Sequence, residues 1–173
     1  PSQESVRLDL GLRLNGLGGV GQQAQLMPVA TLALEAHMTG PAWFVIAGSG
    51  GYALQSTDDD GGSRSWNVAL RAGPRLEWPV VDRVDAGGYL LVSGGASSFL
   101  VGEGGNLVYE GKAYQIGGVL GGSIHFRATP LFGVRLALDL VEAGYRVVQA
   151  DFDTTGGFAG FNPSPSAELT FTF

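Results

Sequence analysis

Two histidines, a serine and several carboxylates are the residues of this chain whose chemistry could support catalysis. His37 and His125 are its only histidines. Ser123 lies two residues before His125, and Glu35 and Glu77 could lie near the same end of their strands. A serine, a histidine and a carboxylate form a hydrolytic triad only when the fold brings them into hydrogen-bonding geometry. The sequence shows no such geometry, so we predict no catalytic residues.

An acidic loop is the candidate for binding a cation. Asp58, Asp59 and Asp60 are followed by Gly61 and Gly62, and carboxylate oxygens are ligands that Ca²⁺ prefers. The spacing differs from that of an EF-hand loop, and a solvated acidic loop is the simpler interpretation. We therefore predict no metal site, and whether this loop binds a divalent cation is left open.

Glycine clusters do not indicate a phosphate-binding loop. They lie at residues 94–95, 102–105, 117–118 and 121–122. A phosphate-binding loop lies between a strand and a helix, and no helix is predicted after any of these clusters. We expect bends, close approaches of strands or a loop tip, and we predict no cofactor.

Composition excludes a membrane-spanning helix and a nucleic-acid partner. Hydrophobic residues make up 45% of the 173 residues and charged residues only 15%, yet the longest strongly apolar run covers residues 42–47. A transmembrane helix needs about 20 such residues. The net charge is −6, without the basic patch that a nucleic-acid binder normally shows. The apolar residues must be spread over many segments, and the 29 glycines suit strands and turns better than helices.

The dominant pattern is an alternation of apolar and polar residues with a period of two, which predicts strands. In the first segment, five aliphatic residues from Val6 to Leu14 alternate with polar residues that include three charges. The third and fifth segments carry apolar residues on both faces. This indicates either a less polar wall of the interior, which we prefer, or a partner-binding surface. A change of phase near residues 141–144 predicts a β-bulge. The eight predicted segments are residues 6–14, 27–38, 43–55, 64–78, 84–97, 112–128, from 134 onwards and 167–173.

The connections between these segments alternate in length. Short ones are predicted at residues 39–41, 79–83 and 129–131, and longer ones at 16–26, 56–63, 98–111 and 151–165. This alternation is typical of transmembrane barrels, which have short periplasmic turns and longer external loops. We therefore predict a single domain, residues 1–173. Its expected fold is an all-β, eight-stranded antiparallel up-and-down transmembrane barrel with both termini periplasmic.

Three features favour an apolar face that points outward to lipid over a soluble barrel with its faces reversed. The first is that charges of both signs lie on the polar face, where they could compensate one another inside the barrel. The second is that aromatic residues lie near both ends of the strands, as in the aromatic girdles of membrane barrels. The charged set is Arg7, Asp9, Arg13, Glu35, Arg71, Arg75, Glu77, Arg127, Arg135, Asp139 and Glu168. The aromatic set is Trp43, Phe44, Trp78 and Phe126 beside short turns, with Trp66 and Tyr145 toward the other end.

The third feature is the last segment, which ends Phe171-Thr172-Phe173 with apolar residues at alternate positions before it. It resembles the terminal strand signal by which bacterial outer-membrane barrels are recognised for insertion. By its pattern the whole chain resembles the small eight-stranded class, such as the barrel domain of outer membrane protein A and outer membrane protein X. The resemblance implies a cell-envelope protein of Gram-negative bacteria in the outer membrane. Its partners would be outer-membrane lipid and lipopolysaccharide, and the barrel assembly machinery during insertion.

The expected function is that of a non-enzymatic structural or interaction protein that anchors external loops, alone or as a subunit of an envelope complex with another protein. The alternatives are a narrow ion channel, a soluble lipocalin-like ligand-binding barrel and a lipid A-modifying enzyme. An eight-stranded barrel is just wide enough for its own side chains, which disfavours a channel. Some small outer-membrane barrels are lipid A deacylases, but their His-x-Ser pattern is absent, because Phe126 and Arg127 follow His125.

Overall fold

The chain forms a closed antiparallel barrel of eight strands. The computed structural model describes residues 6–17, 25–56, 62–103, 106–149 and 154–173. Each strand pairs with the next along the chain, and β8 pairs with β1, which closes the sheet. The predicted all-β, eight-stranded up-and-down barrel is therefore confirmed. No helix in the described ranges is long and apolar enough to cross a membrane. The strands are β1 (Val6–Leu17), β2 (Gln25–Thr39), β3 (Ala42–Ser56), β4 (Gly62–Val81), β5 (Val84–Glu103), β6 (Asn106–Arg127), β7 (Phe132–Gln149) and β8 (Thr154–Thr172).

The short turns lie where the sequence predicts them, but two of the predicted long connections are wrong. β5 continues to Glu103 and β6 begins at Asn106, so most of the predicted 98–111 connection is strand. β8 begins at Thr154, so most of the predicted 151–165 connection is strand as well. Both segments are rich in glycine, serine, asparagine or proline, which favour loops, so they lack the alternation on which the prediction relies. Antiparallel pairing nevertheless continues through them.

The other two predicted long connections are shorter than expected. β1 ends at Leu17 and β2 begins at Gln25, and β3 ends at Ser56 before β4 begins at Gly62. The acidic residues 58–60 lie outside the described residues, so the question of a cation in that loop stays open.

The side chains of each strand alternate between the outer surface and the interior of the barrel, which we call the lumen. On β1, Arg7, Asp9 and Arg13 are buried in the lumen, whereas Leu10 and Leu12 are exposed on the outer surface. The same alternation runs along most of the other strands, so polar side chains line the lumen and an apolar belt surrounds the barrel. A lipocalin-like barrel requires the opposite orientation, so that alternative is wrong.

The two strands with ambiguous alternation contribute an apolar wall to the lumen. Val45 of β3 is buried there, and so are Tyr89 and Leu91 of β5. These side chains pack against one another and against apolar side chains of other strands. The interpretation of these strands as a less polar wall of the lumen is therefore confirmed. The resulting apolar cluster consists of Ala33, Val45, Tyr89, Leu91, Val119 and Ala137.

A β-bulge lies at Leu140, immediately before the predicted position at residues 141–144. Asp139 pairs with Gly121 and Val141 pairs with Leu120, so Leu140 is an extra residue on β7. One extra residue exchanges the faces that the following side chains occupy. This exchange explains the change of phase in the sequence pattern.

Aromatic side chains surround the outer surface near both ends of the apolar belt. Phe44, Trp78 and Phe126 are exposed near the short turns and form the short-turn girdle, and Trp66 and Tyr145 are exposed in the opposite, long-loop girdle. The twelve residue steps from Trp66 to Trp78 on β4 correspond to about 40 Å of strand, or about 28 Å of height at a tilt of about 45°. This height matches the apolar band of about 25 Å in transmembrane barrels.

Trp43 does not belong to the predicted girdle. Its side chain is 5% exposed and lies in the lumen, where the guanidinium of Arg7 is 3.7 Å from its ring centroid. Trp43 and Phe44 are consecutive on β3, so only one of them can face outward, and Phe44 occupies that position. The prediction of Trp43 as a girdle residue is therefore wrong.

We expect Leu136→Arg, like Leu10→Arg, to reduce the fraction of folded barrel in membranes. Leu136 is 58% exposed within the apolar belt and pairs with Ile124 and Ala167. An arginine near the middle of a lipid-facing surface costs about 2–4 kcal/mol. Heat-modifiable gel mobility after refolding into lipid vesicles measures the folded fraction, with Leu136→Ala as the control. Equal folding of the arginine and alanine variants would contradict the assignment of this surface to lipid.

Candidate functional site

Among the residues that the structure describes, twelve charged side chains fill the middle and the short-turn end of the lumen, and their charges balance. All eleven charges that the sequence places on the polar face lie there, which confirms that prediction, and Asp85 of β5 joins them. Each member has an oppositely charged group within 4.0 Å. We call these residues the lumen network. Its cations are Arg7, Arg13, Arg71, Arg75, Arg127 and Arg135, and its carboxylates are Asp9, Glu35, Glu77, Asp85, Asp139 and Glu168.

Arg135 of β7 is the centre of the lumen network. It is fully buried, and its Nη2 donates hydrogen bonds to Glu35 Oε2 at 2.9 Å and to Glu77 Oε1 at 3.1 Å. Its Nη1 donates to Asp9 and to Glu35 and lies 3.6 Å from Glu168 Oε2. The four carboxylates belong to β2, β4, β1 and β8. One planar guanidinium, with its fork of donors, therefore connects five of the eight strands.

Asp139, also on β7, is the centre of a second group nearer the long-loop end. It accepts hydrogen bonds from Arg71 at 2.6 Å and from the Tyr89 hydroxyl at 2.7 Å, and Arg13 lies 3.5 Å away. The ring of Tyr89 lies where a Cβ at Gly121 would be, so only glycine leaves room for it. A cavity beside this group has a volume of about 20 Å³, which is room for about one water molecule. The protein's own side chains fill the lumen at this level.

The short-turn end of the lumen brings a histidine and two carboxylates together. Ligand-type atoms of Glu77, Asp85 and His125 all lie within 4.8 Å of one another, and all three residues are buried. Asp85 also pairs with Arg127 at 3.1 Å, and His125 Nδ1 lies 3.8 Å from Asp85 Oδ2. The sequence singles out Glu77 and His125 but not Asp85, because the alternation in its strand is ambiguous. Asp85 of β5 pairs with His125 of β6 because of the register between these two strands, which the sequence pattern does not reveal.

The residues considered for a catalytic triad are not assembled into one. Ser123 Oγ is buried and has no hydrogen-bond partner within the described ranges, so it does not form a dyad with His125. The carboxylate of Glu35 is bonded to arginines instead. His37 lies beside the first short turn, with its Nε2 2.9 Å from the carbonyl oxygen of Gly40. The geometry of a serine hydrolase is therefore not formed by these candidates.

A smaller polar group lies at the long-loop end of the lumen. Arg146 Nη2 donates to Gln115 Oε1 at 2.8 Å, and Gln115 Nε2 donates to Glu142 Oε1 at 3.3 Å. The guanidinium of Arg146 also lies 5.0 Å from the ring centroid of Phe158. These contacts connect β6, β7 and β8 at the level of the long-loop girdle, where Tyr145 directly precedes Arg146.

The fold is that of small outer-membrane β-barrel proteins, as the sequence resemblance implied. A major outer membrane protein from Thermus thermophilus has a TM-score of 0.60 at 12% identity, covering 97% of this chain and 99% of that one. Ail, the attachment invasion locus protein of Yersinia pestis, has a TM-score of 0.57 at 13% identity, covering 98% and 100%. No family model matches the chain, and no curated protein matches it. At such identities the similarity shows the fold.

We expect Arg135→Met to lower the free energy of unfolding by about 3–5 kcal/mol, because it leaves buried carboxylates without their central partner. Urea unfolding in detergent micelles, followed by tryptophan fluorescence, measures the change. Asp82→Asn is the matched control, since it removes an exposed ion pair with Arg83 at 4.0 Å and should leave stability nearly unchanged. Similar stabilities of the two variants would show that Arg135 is not central to the barrel.

Proposed function

We propose that this chain is a non-enzymatic outer-membrane protein that anchors β-hairpins at the cell surface, where they contact another macromolecule. The filled lumen is the observation that carries this proposal. The lumen network and the apolar cluster leave a cavity of about 20 Å³ beside Tyr89. A barrel filled by its own side chains offers its outer surface and its strand ends for binding. Because the outer surface is apolar between the girdles, recognition falls to the strand ends.

The outer-membrane location is supported by the apolar belt, the two girdles and the fold shared with known outer-membrane proteins. In the orientation usual for such barrels, the short turns face the periplasm and the long-loop end faces the exterior. The start of β1 and the end of β8 lie on the same side as the short turns. The belt then contacts lipid and lipopolysaccharide, and the barrel assembly machinery inserts the chain.

The β5–β6 hairpin extends beyond the apolar belt. Trp66 of the long-loop girdle pairs with Ser98, and β5 and β6 remain paired from Ser98 with Lys112 to Glu103 with Asn106. Five residue steps correspond to about 17 Å of strand. A paired hairpin holds its backbone in a fixed conformation, which lowers the entropy lost when a partner binds. This extension is the surface that we assign to recognition.

Ail gives an example of a barrel with this fold and a bound polyanion. It has been crystallised in complex with the heparin analogue sucrose octasulfate, in a structure with 12% identity to this chain. The ligand is a property of Ail. It supports the proposal for this chain because it shows that a barrel of this fold can bind an analogue of a macromolecule.

A photo-crosslinking residue at Lys112 should form a defined adduct with another macromolecule in intact cells. Lys112 is exposed and pairs with Ser98 at the start of the hairpin extension. The same crosslinker at Leu136, within the apolar belt, is the control and should give lipid adducts. Gel separation and mass spectrometry identify the products. If Lys112 gave no adduct, or the same adducts as Leu136, the assignment of recognition to the hairpin would fail.

Two measurements separate this proposal from the channel and enzyme alternatives. The purified protein should show no stepwise conductance in planar bilayers, because side chains fill the lumen. Its expression should leave the mass profile of lipid A unchanged. A conductance that Tyr89→Ala increases would instead favour a channel through the lumen, and a changed lipid A profile would favour an enzyme.

A further inference from the structure

We propose that Glu77, Asp85 and His125 form a binding site for a divalent transition-metal ion of the zinc type at the short-turn end of the lumen. The three side chains come from β4, β5 and β6, which are neighbours in the barrel. Their ligand-type atoms lie within 4.8 Å of one another. One imidazole nitrogen and two carboxylate oxygens, with water as a fourth ligand, are a donor set that Zn²⁺ accepts.

His125 is the observation that points to a ligand. Its residue is 2% exposed, and neither ring nitrogen has a hydrogen-bond partner within the described ranges. Buried polar atoms are normally satisfied, so two unsatisfied nitrogens on one buried ring require an explanation. Nδ1 points toward the carboxylates, 3.8 Å from Asp85 Oδ2, which is too long for a hydrogen bond. A metal between these atoms would satisfy Nδ1.

Gly133 fixes the orientation of this histidine. A Cβ at position 133 would overlap Nε2 of His125, so the imidazole occupies space that only a glycine on β7 leaves free. With Nε2 placed against the β7 backbone, Nδ1 is the nitrogen that lies 3.8 Å from Asp85 Oδ2. Packing against the backbone at Gly133 therefore holds the ring in position before any metal arrives.

The two carboxylates retain capacity for a metal although arginines contact them. Glu77 accepts hydrogen bonds from Arg7 at 2.6 Å and from Arg135 at 3.1 Å, one on each oxygen. A carboxylate has about four acceptor positions, so each oxygen can bind an arginine and a metal together. With metal–ligand distances of about 2.1 Å and tetrahedral angles, two ligand atoms lie about 3.4 Å apart. Ligand atoms separated by up to 4.8 Å must therefore approach one another by up to about 1.4 Å on binding.

Arg127 is the group that a metal would displace. Its side chain is 38% exposed and pairs with Asp85 through Nε at 3.1 Å and Nη2 at 3.2 Å. Because it is the exposed member of the group, it can move into solvent and open a path from the short-turn end. A bound divalent cation then replaces the positive charge that Arg127 supplies to Asp85. Arg127 and the metal are thus competitors for the same carboxylate.

The test uses tag-free, folded protein in detergent micelles, titrated with Zn²⁺ and, as a spectroscopic probe, with Co²⁺. We expect one equivalent of metal to bind and Co²⁺ to give the visible absorption of a four-coordinate site. His125→Gln should weaken binding by at least about 100-fold, and Arg127→Gln should strengthen it by about tenfold. His37→Gln is the matched control, because it removes the other histidine and should leave binding unchanged.

Histidine-selective NMR of the unaltered protein keeps the test independent of whether a variant folds. Zn²⁺ should shift the ring nitrogen signals of His125 and leave those of His37 in place. Changing Asp58, Asp59 and Asp60 together to Asn, in the acidic loop outside the described residues, should not affect the metal equivalent. The proposal is overturned if the protein binds no metal at about 1 mM, if Zn²⁺ leaves the His125 signals unshifted, or if the loop variant loses the metal.

Discussion

Arg135 is buried completely among carboxylates from four other strands, and the energetics of that burial constrain the whole barrel. A charge transferred from water into a protein interior costs several kcal/mol, and only well-placed opposite charges offset the cost. In an eight-stranded barrel the space inside is filled by side chains, so the compensating groups must come from facing strands. The register of β7 against β8 and of β1 against β2 must therefore place Asp9, Glu35 and Glu168 at the height of Arg135. A slip of one residue would move all of these side chains to the lipid face.

The groups that fill the lumen lie at successive levels along the barrel axis. The groups that stabilise the barrel are therefore separate from the hairpin to which we assign recognition. The network around Arg135 fills the middle and the short-turn end, the group around Asp139 lies next, and the apolar cluster packs beside Tyr89. Beyond these levels the contacts of Arg146 connect three strands near the long-loop girdle. The strands that continue outward are therefore built on a filled and cross-linked base. Side chains on the extended hairpin can vary without disturbing the network, which is an arrangement suited to carrying a recognition surface.

The period-two alternation predicts the barrel, its strand number and the inward direction of eleven charges, because burial of one face is a local property of each strand. The alternation does not predict a strand where the two faces of the segment do not differ in polarity. The segments 98–111 and 151–165 are rich in glycine, serine or proline, and they predict loops although most of their residues form strand. The aromatic pattern assigns both Trp43 and Phe44 outward, although neighbours must face opposite sides. Asp85 is missed because small and apolar residues lie on both faces of its strand. The partners of Arg135 depend on barrel closure, which brings together residues up to 126 positions apart, such as Asp9, and no local pattern contains that information.

Charge balance explains why His125 differs from the other polar groups of the lumen. The lumen network pairs six arginines with six carboxylates, so its charges balance without any contribution from the histidine. A structural role for His125 would then rest on hydrogen bonds, yet both ring nitrogens lack them within the described ranges. Packing alone does not require an imidazole, since an apolar ring of similar size would fill the space beside Gly133 without leaving polar atoms unsatisfied. An imidazole beside two carboxylates does have a use as a metal ligand, and the exposed position of Arg127 provides both the entry and the competitor.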